Sequence, residues 1–211
     1  MRTPQIRTLG KVRQIATNFQ YSMIVALVLM SGWSSRVLAQ DVHSHTLMEQ
    51  PQELTADQKS KQSALIQIVR ESTARFKDVK VAESEGYALT FGCVSGPDQG
   101  AMGLHYINFD LVKGDVIDVR HPQAVIYEPT ANGGVKLIGA DYLVLADTWN
   151  KNHATPPDLM GQWFHYFETP NLFGLPAFYT LHVWAWKDNP NGAFVNWHPD
   201  VSCAQFNPPT P

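Results

Sequence analysis

Residues 178–186 read Phe-Tyr-Thr-Leu-His-Val-Trp-Ala-Trp, with no charged side chain among them. Alternate residues of a strand point to opposite faces. Tyr179, Leu181, Val183 and Ala185 then share one face, and Phe178, Thr180, His182, Trp184 and Trp186 the other. Neither set suits a solvated surface. The stretch therefore reads as a strand covered on both sides, within a closed or sandwiched sheet. An unpaired imidazole among such aromatics is costly, so His182 requires a partner. Finding that partner is the functional question the sequence poses.

The first residues have the pattern of a targeting segment and not of the fold. Arg2, Arg7, Lys11 and Arg13 form a basic stretch without an acid, residues 23–30 are apolar, and Val37-Leu38-Ala39 offers tolerated residues for cleavage. The pattern is that of a signal peptide over residues 1–39, with the mature chain starting near Gln40. The apolar run is short for a membrane span, and an uncleaved anchor is the competing reading. Five of the 16 Lys and Arg precede Ala39 and none of the 19 acids does, so cleavage changes the formal charge from −3 to −8. An acidic chain without a basic cluster is a poor partner for nucleic acid. After cleavage no stable membrane anchor is expected, and the localisation expected is periplasmic or secreted.

Cys93 and Cys203 are the only two cysteines. An even count in an exported chain favours a disulfide over two free thiols. The bridge would close a loop of roughly 110 residues and stabilise by up to about 4–5 kcal/mol in the chain-entropy account. With 44% hydrophobic and 17% charged residues, the chain is globular and long enough for one domain with a sizeable core.

Residues 40–54 are polar and aperiodic and read as a flexible lead-in. Thr55 and Gln58 have the spacing of a capping box. Leu65, Ile68, Val69, Ser72 and Phe76 then recur at helical spacing, which predicts an amphipathic helix over 56–76. Asp78 caps a shorter helix to Glu85, with Gly86 in the left-handed position beyond it. From Tyr87 the signals become strands: 87–91, 102–109, 124–128 and 135–146, with Asn132-Gly133-Gly134 as a hairpin turn. A loop over 92–100 separates the first two. Residues 163–168 are strongly aromatic and fit a strand or a covering loop. The fold class expected is α+β: N-terminal helices packed on a mostly antiparallel or barrel-like sheet, as a single domain over residues 55–211.

Several segments together resemble a group of uncharacterised exported bacterial proteins. They are Gly92-Cys93-Val94, Met102-Gly103-Leu104-His105-Tyr106, Val125-Ile126-Tyr127-Glu128-Pro129, Leu181-His182-Val183-Trp184 and Asn189-Pro190-Asn191-Gly192. The resemblance covers most of the chain after Phe76. It implies export and a single domain, and no reaction. The group carries glutamate where Asp141 stands, which keeps the acid but changes its reach.

Asp141 interrupts an apolar strand, as His105 and His182 do. Imidazole and carboxylate are ordinary ligands of Zn(II), Fe(II) and Mn(II), so His105, Asp141 and His182, with His165 and Glu128 as further members, form a candidate set for a divalent transition metal. The competing reading is a group of satisfied structural residues. Residues from different strands converge in this way in cupins, but the cupin His-x-His is missing at His105-Tyr106-Ile107. Ser95 is not in a G-x-S-x-G elbow, no phosphate-binding glycine loop is present, and a bridged Cys93 is no nucleophile. Trp163, Phe164, Tyr166, Phe173, Trp184, Trp186 and Trp197 read as core or as the lining of a small-molecule pocket. The first expectation is a non-catalytic ligand-binding or envelope accessory protein. The alternative is a metal-dependent enzyme using the His/Asp set.

Overall fold

Thr55 sets the first helix in place. Its hydroxyl accepts from the Gln58 N–H and the Gln58 side chain accepts from the Thr55 N–H, which completes the capping box. The computed structural model describes residues 53–207. The expected signal peptide and nearly all of the lead-in lie outside the described residues, which all belong to one compact unit, Gln50–Pro211.

Helix α1 (Ala56–Thr73) buries Leu65, Val69 and Thr73. It tightens into a 3-10 turn, Ala74–Lys77, which drives Phe76 into the core, so the expected helix stops short of residue 76. Helix α2 (Val79–Ser84) starts at Asp78, whose carboxylate accepts from Lys80 N–H. The strands follow as β1 (Ala88–Ser95), β2 (Ala101–Ile107), β3 (Ala124–Pro129) and β4 (Val135–Leu145). Short helices α3 (Phe109–Val112) and α4 (Ala146–Asn150) follow β2 and β4. Next come a small hairpin of β5 (Asp158–Leu159) and β6 (Gln162–Trp163), then β7 (His165–Phe167) and β8 (Phe178–Val183).

Six strands form one antiparallel sheet in the order β1-β2-β3-β4-β8-β7. The sheet curls into a half-barrel, and the fold is α+β as expected. The outer face packs Ala140, Tyr142, Val144, Leu181 and Val183 against Leu65 and Val69 of α1. Further along, Leu104, Tyr106, Val125 and Tyr127 pack against Phe76 and Ala82. Side chains of the other parity point into the curl, where Ile107, Ala124, Leu143 and Phe178 cluster at one end. Ile126, Ile138 and Trp184 cluster with Val201 at the other.

Two glycines allow the strands to approach so closely. A Cβ at Gly103 would sit 2.5 Å from the Tyr127 carbonyl oxygen, and its φ of +88° suits glycine. A Cβ at Gly139 would sit 2.7 Å from the Val183 carbonyl oxygen. The C-terminal segment closes the far end of the curl. His198 exchanges backbone hydrogen bonds of 3.1 Å with Ala101, and Cys203 is disulfide-bonded to Cys93.

Three strands also depart from the sequence reading: β2 ends at Ile107, with Phe109 opening α3. β1 does not stop at Phe91: a bulge at Phe91 and Gly92 shifts the register, and Cys93 and Val94 resume pairing with Leu104 and Gly103. Strand 178–186 ends early, at Val183. There the chain turns, with Ala185 N–H donating to the Val183 carbonyl and Trp186 N–H to that of Ile138. Trp186 therefore leaves the His182 face and donates its indole N–H to Thr73 Oγ1 on α1.

Candidate metal centre

Asp141 lies directly opposite His182 across the β4–β8 ladder. His105 starts farther away, on β2, with β3 and β4 between it and β8. On a flat sheet three strand steps span roughly 14 Å. The curl removes that distance: the Nε2 atoms of His105 and His182 are 3.2 Å apart. His182 Nδ1 lies 3.7 Å from Asp141 Oδ1. One donor atom from each of the three residues falls within 4.8 Å of the others. Each residue is only 3–5% exposed.

The separation of the two nitrogens is informative. Nitrogens bound side by side to one metal at about 2.0–2.1 Å end up roughly 3.0–3.4 Å apart, depending on the bond angle. A neutral pair in which one ring donates to the other has a similar spacing. Asp141 distinguishes the two arrangements. Burial pushes its carboxyl up to about 6, the sign of a site where a charge lacks a compensating cation, against the hydrogen bonds of Thr180 and the Leu181 backbone. It accepts from the Thr180 hydroxyl, yet among the described residues no Lys or Arg pairs with it. A buried charge is tolerated when it is paired or bound to a metal, and a hydrogen-bonded neutral histidine pair supplies no cation.

The imidazoles are held neutral, as ligands must be. Burial, reinforced by His182, pushes His105 down to about 4, against Asp141 and the Gly103 backbone. Burial, reinforced by His165, pushes His182 down to about 3, with the Asn196 side chain acting the other way. Polar capacity is left over around them. Among the described residues, His105 Nδ1, His182 Nδ1 and Asn196 Oδ1 are buried without a hydrogen-bond partner. Trp184 stacks on His182 with ring centroids 5.8 Å apart, and donates its own N–H to the Val195 carbonyl. All three site residues also open into a cavity with about 20 Å³ available to the centre of a water-sized sphere, bounded by four phenylalanines and by Met102, Ile107, Leu143 and Leu175. That is room for one water or one small ligand atom.

The other expected members stay outside this cluster. Glu128 stands one rung beyond Ile126, where Lys187 Nζ meets its two oxygens at 3.0 and 2.8 Å and Ser202 N–H donates to it at 3.1 Å. It fastens the C-terminal segment. His165 sits opposite Thr180 on β7 but is exposed, and its Nε2 lies 3.3 Å from the Phe194 carbonyl. Of the aromatics weighed as pocket lining, only Phe173 lines this cavity. Thr180 and Asn196 were not singled out from the sequence. Thr180 shares a strand face with His182, which was a usable signal. Asn196 lies in an aperiodic segment that gave none.

Comparison with protein families, with curated proteins and with solved structures finds no match to this chain.

Proposed function

We propose that this chain is an exported metal-binding domain in which His105, Asp141 and His182 hold one divalent transition metal and leave a coordination position open toward the cavity. The observation that carries this reading is the unpaired Asp141 carboxylate beside two neutral imidazoles at metal-ligand spacing. Two nitrogens and a carboxylate oxygen suit Zn(II), Fe(II) or Mn(II). Three protein ligands with an open position characterise catalytic rather than closed structural sites. The geometry thus favours a metal-dependent enzyme over the metal-free binding or accessory protein that composition alone favours. Asn196 acts on His182 through its side chain and is the candidate outer partner that would fix the ligand ring in place.

Export rests on the basic–apolar–cleavable pattern of residues 1–39 and on the Cys93–Cys203 bridge. Among the described residues no helix is long and apolar enough to cross a membrane. The resemblance to exported bacterial proteins agrees with this reading.

Metal analysis of protein prepared without a histidine tag tests the proposal. Reconstitution of chelated protein should restore close to one metal per chain, and Asp141→Asn and His105→Ala should each prevent it. Wild-type protein that takes up no metal under these conditions would refute the reading. For export, intact mass of secreted material should correspond to a chain beginning near Gln40.

A further inference from the structure

The cavity beside the triad has a composition of its own. Phe91, Phe167, Phe173, Leu175 and Phe178 contribute to its wall, and among the described residues the only polar ones lining it are the triad and Thr180, with no Lys or Arg. An apolar chamber with a few polar groups converging at one end is the usual form of a small-molecule site. The outer boundary is also apolar. Phe91 is 37% exposed and packs on Phe173 with ring centroids 5.4 Å apart, and Leu172 beside it is 69% exposed.

The boundary joins two irregular segments. Phe91 has a φ of +67° in the β1 bulge, a conformation unusual for a bulky residue. Phe173 belongs to the β7–β8 connection, where Asn171 braces the loop by accepting from Phe173 N–H and donating to the Leu175 carbonyl. The bulge thus turns an aromatic ring toward this loop, directly over the chamber that ends at His105, Asp141 and His182.

We infer that the chamber takes a ligand with a small oxygen-donor head and an unbranched or aromatic apolar tail, the head at the His105–Asp141–His182 end and the tail between Phe91 and Phe173. This deepens the metal reading and rests on it for what the head binds. In the closed form the free space is that of about one water, so the tail occupies the chamber by parting the Phe91–Phe173 contact.

Calorimetric titration with 1-propanol through 1-hexanol, on metal-loaded and on chelated protein, tests the assignment. Affinity should rise about fourfold per added CH2, the factor expected for a methylene leaving water. With 1,6-hexanediol the tail ends in a hydroxyl that would be buried without a partner, so binding should be at least about tenfold weaker than with 1-hexanol. Leu175→Trp should fill the chamber and abolish alcohol binding with metal content unchanged, and Phe173→Ala should extend the series to longer alcohols. Affinity independent of chain length, or equal for 1-hexanol and the diol, overturns the proposal even if metal is bound. Chain-length dependence in a protein that binds no metal would refute the metal reading and leave the apolar chamber standing.

Discussion

On the helix-covered side of the sheet, Tyr87, Tyr127 and Tyr142 donate their hydroxyls to the carbonyls of Pro122, Phe76 and Val119 at 2.8, 2.7 and 2.6 Å. On the inner side, among the described residues, His105 Nδ1 and His182 Nδ1 have no partner, and Asp141 is a buried carboxyl without a Lys or Arg beside it. Both sides are buried, and β4 contributes to each, through Tyr142 and Asp141. What differs is whether the buried polar groups serve the fold. Tyrosine lets the outer side cover apolar surface and satisfy a backbone carbonyl together. The inner groups satisfy little within the protein, so their presence points to a ligand rather than to stability.

The comparison is broken most severely by releasing the segment that closes the inner side. Replacing Cys93 and Cys203 by serine should lower stability by roughly 4–5 kcal/mol, on the loop-entropy account, as read by denaturant titration. Metal affinity should fall more steeply than helix content, because Asn196 and Trp184 are held by this segment. An unchanged midpoint would mean that the bridge constrains nothing important.

His182→Ala should cost roughly 2–4 kcal/mol through the cavity it leaves and the lost contact to His105, together with metal uptake. A melt and a metal content both like wild type would show that the residue is idle. A smaller and sharper contrast pairs one residue from each side. Tyr127→Phe should destabilise by about 1–2 kcal/mol, since the Phe76 carbonyl is left without its donor. Asp141→Asn should do the opposite in chelator, raising the melting temperature by removing an unpaired buried charge while retaining an acceptor for Thr180. If Asp141→Asn is destabilising in metal-free protein, the carboxylate serves the fold and the contrast between the sides disappears.

A last test concerns pH in metal-free protein, where opposing groups partly offset one another. His105 and His182 have folded values below the usual 6.5, so the unfolded chain takes up their protons first, and stability is lost as pH falls from 6.5 toward 4. Asp141 is raised from 3.8 to about 6. It contributes stability below 3.8 that is lost as pH rises through 6. Two groups against one leave a net loss on acidification. Asp141→Asn should steepen it, which a pH series of thermal melts would reveal.

Much of this contrast was legible before the structure. Asp141 and His182 each break an apolar alternation, and a strand covered on both faces gives such a residue no solvent to turn to. Their direct pairing follows from the β4–β8 register. His105 was a candidate because it too breaks an apolar strand, but its distance from His182 was not legible, because period-two patterning assigns a residue to a face and does not encode how far the face bends. The bulge at Phe91 hid for a similar reason: Gly92 signalled a turn, and only the register shows the strand continuing beyond it. Glu128 has the right face but stands one rung too far along. The helices were the easiest part, since Thr55, Gln58, Asp78 and Gly86 act within a few residues of themselves.

The 3.2 Å gap between the two imidazoles is set by three strand steps of curvature rather than by any local turn. The triad is therefore a gauge of how tightly the sheet is rolled. A slight flattening anywhere from β2 to β8 widens the gap between its jaws. Substitutions under α1, far from any donor atom, should register as altered metal affinity before they alter the melting point, and a metal held between those jaws would brace the roll in return.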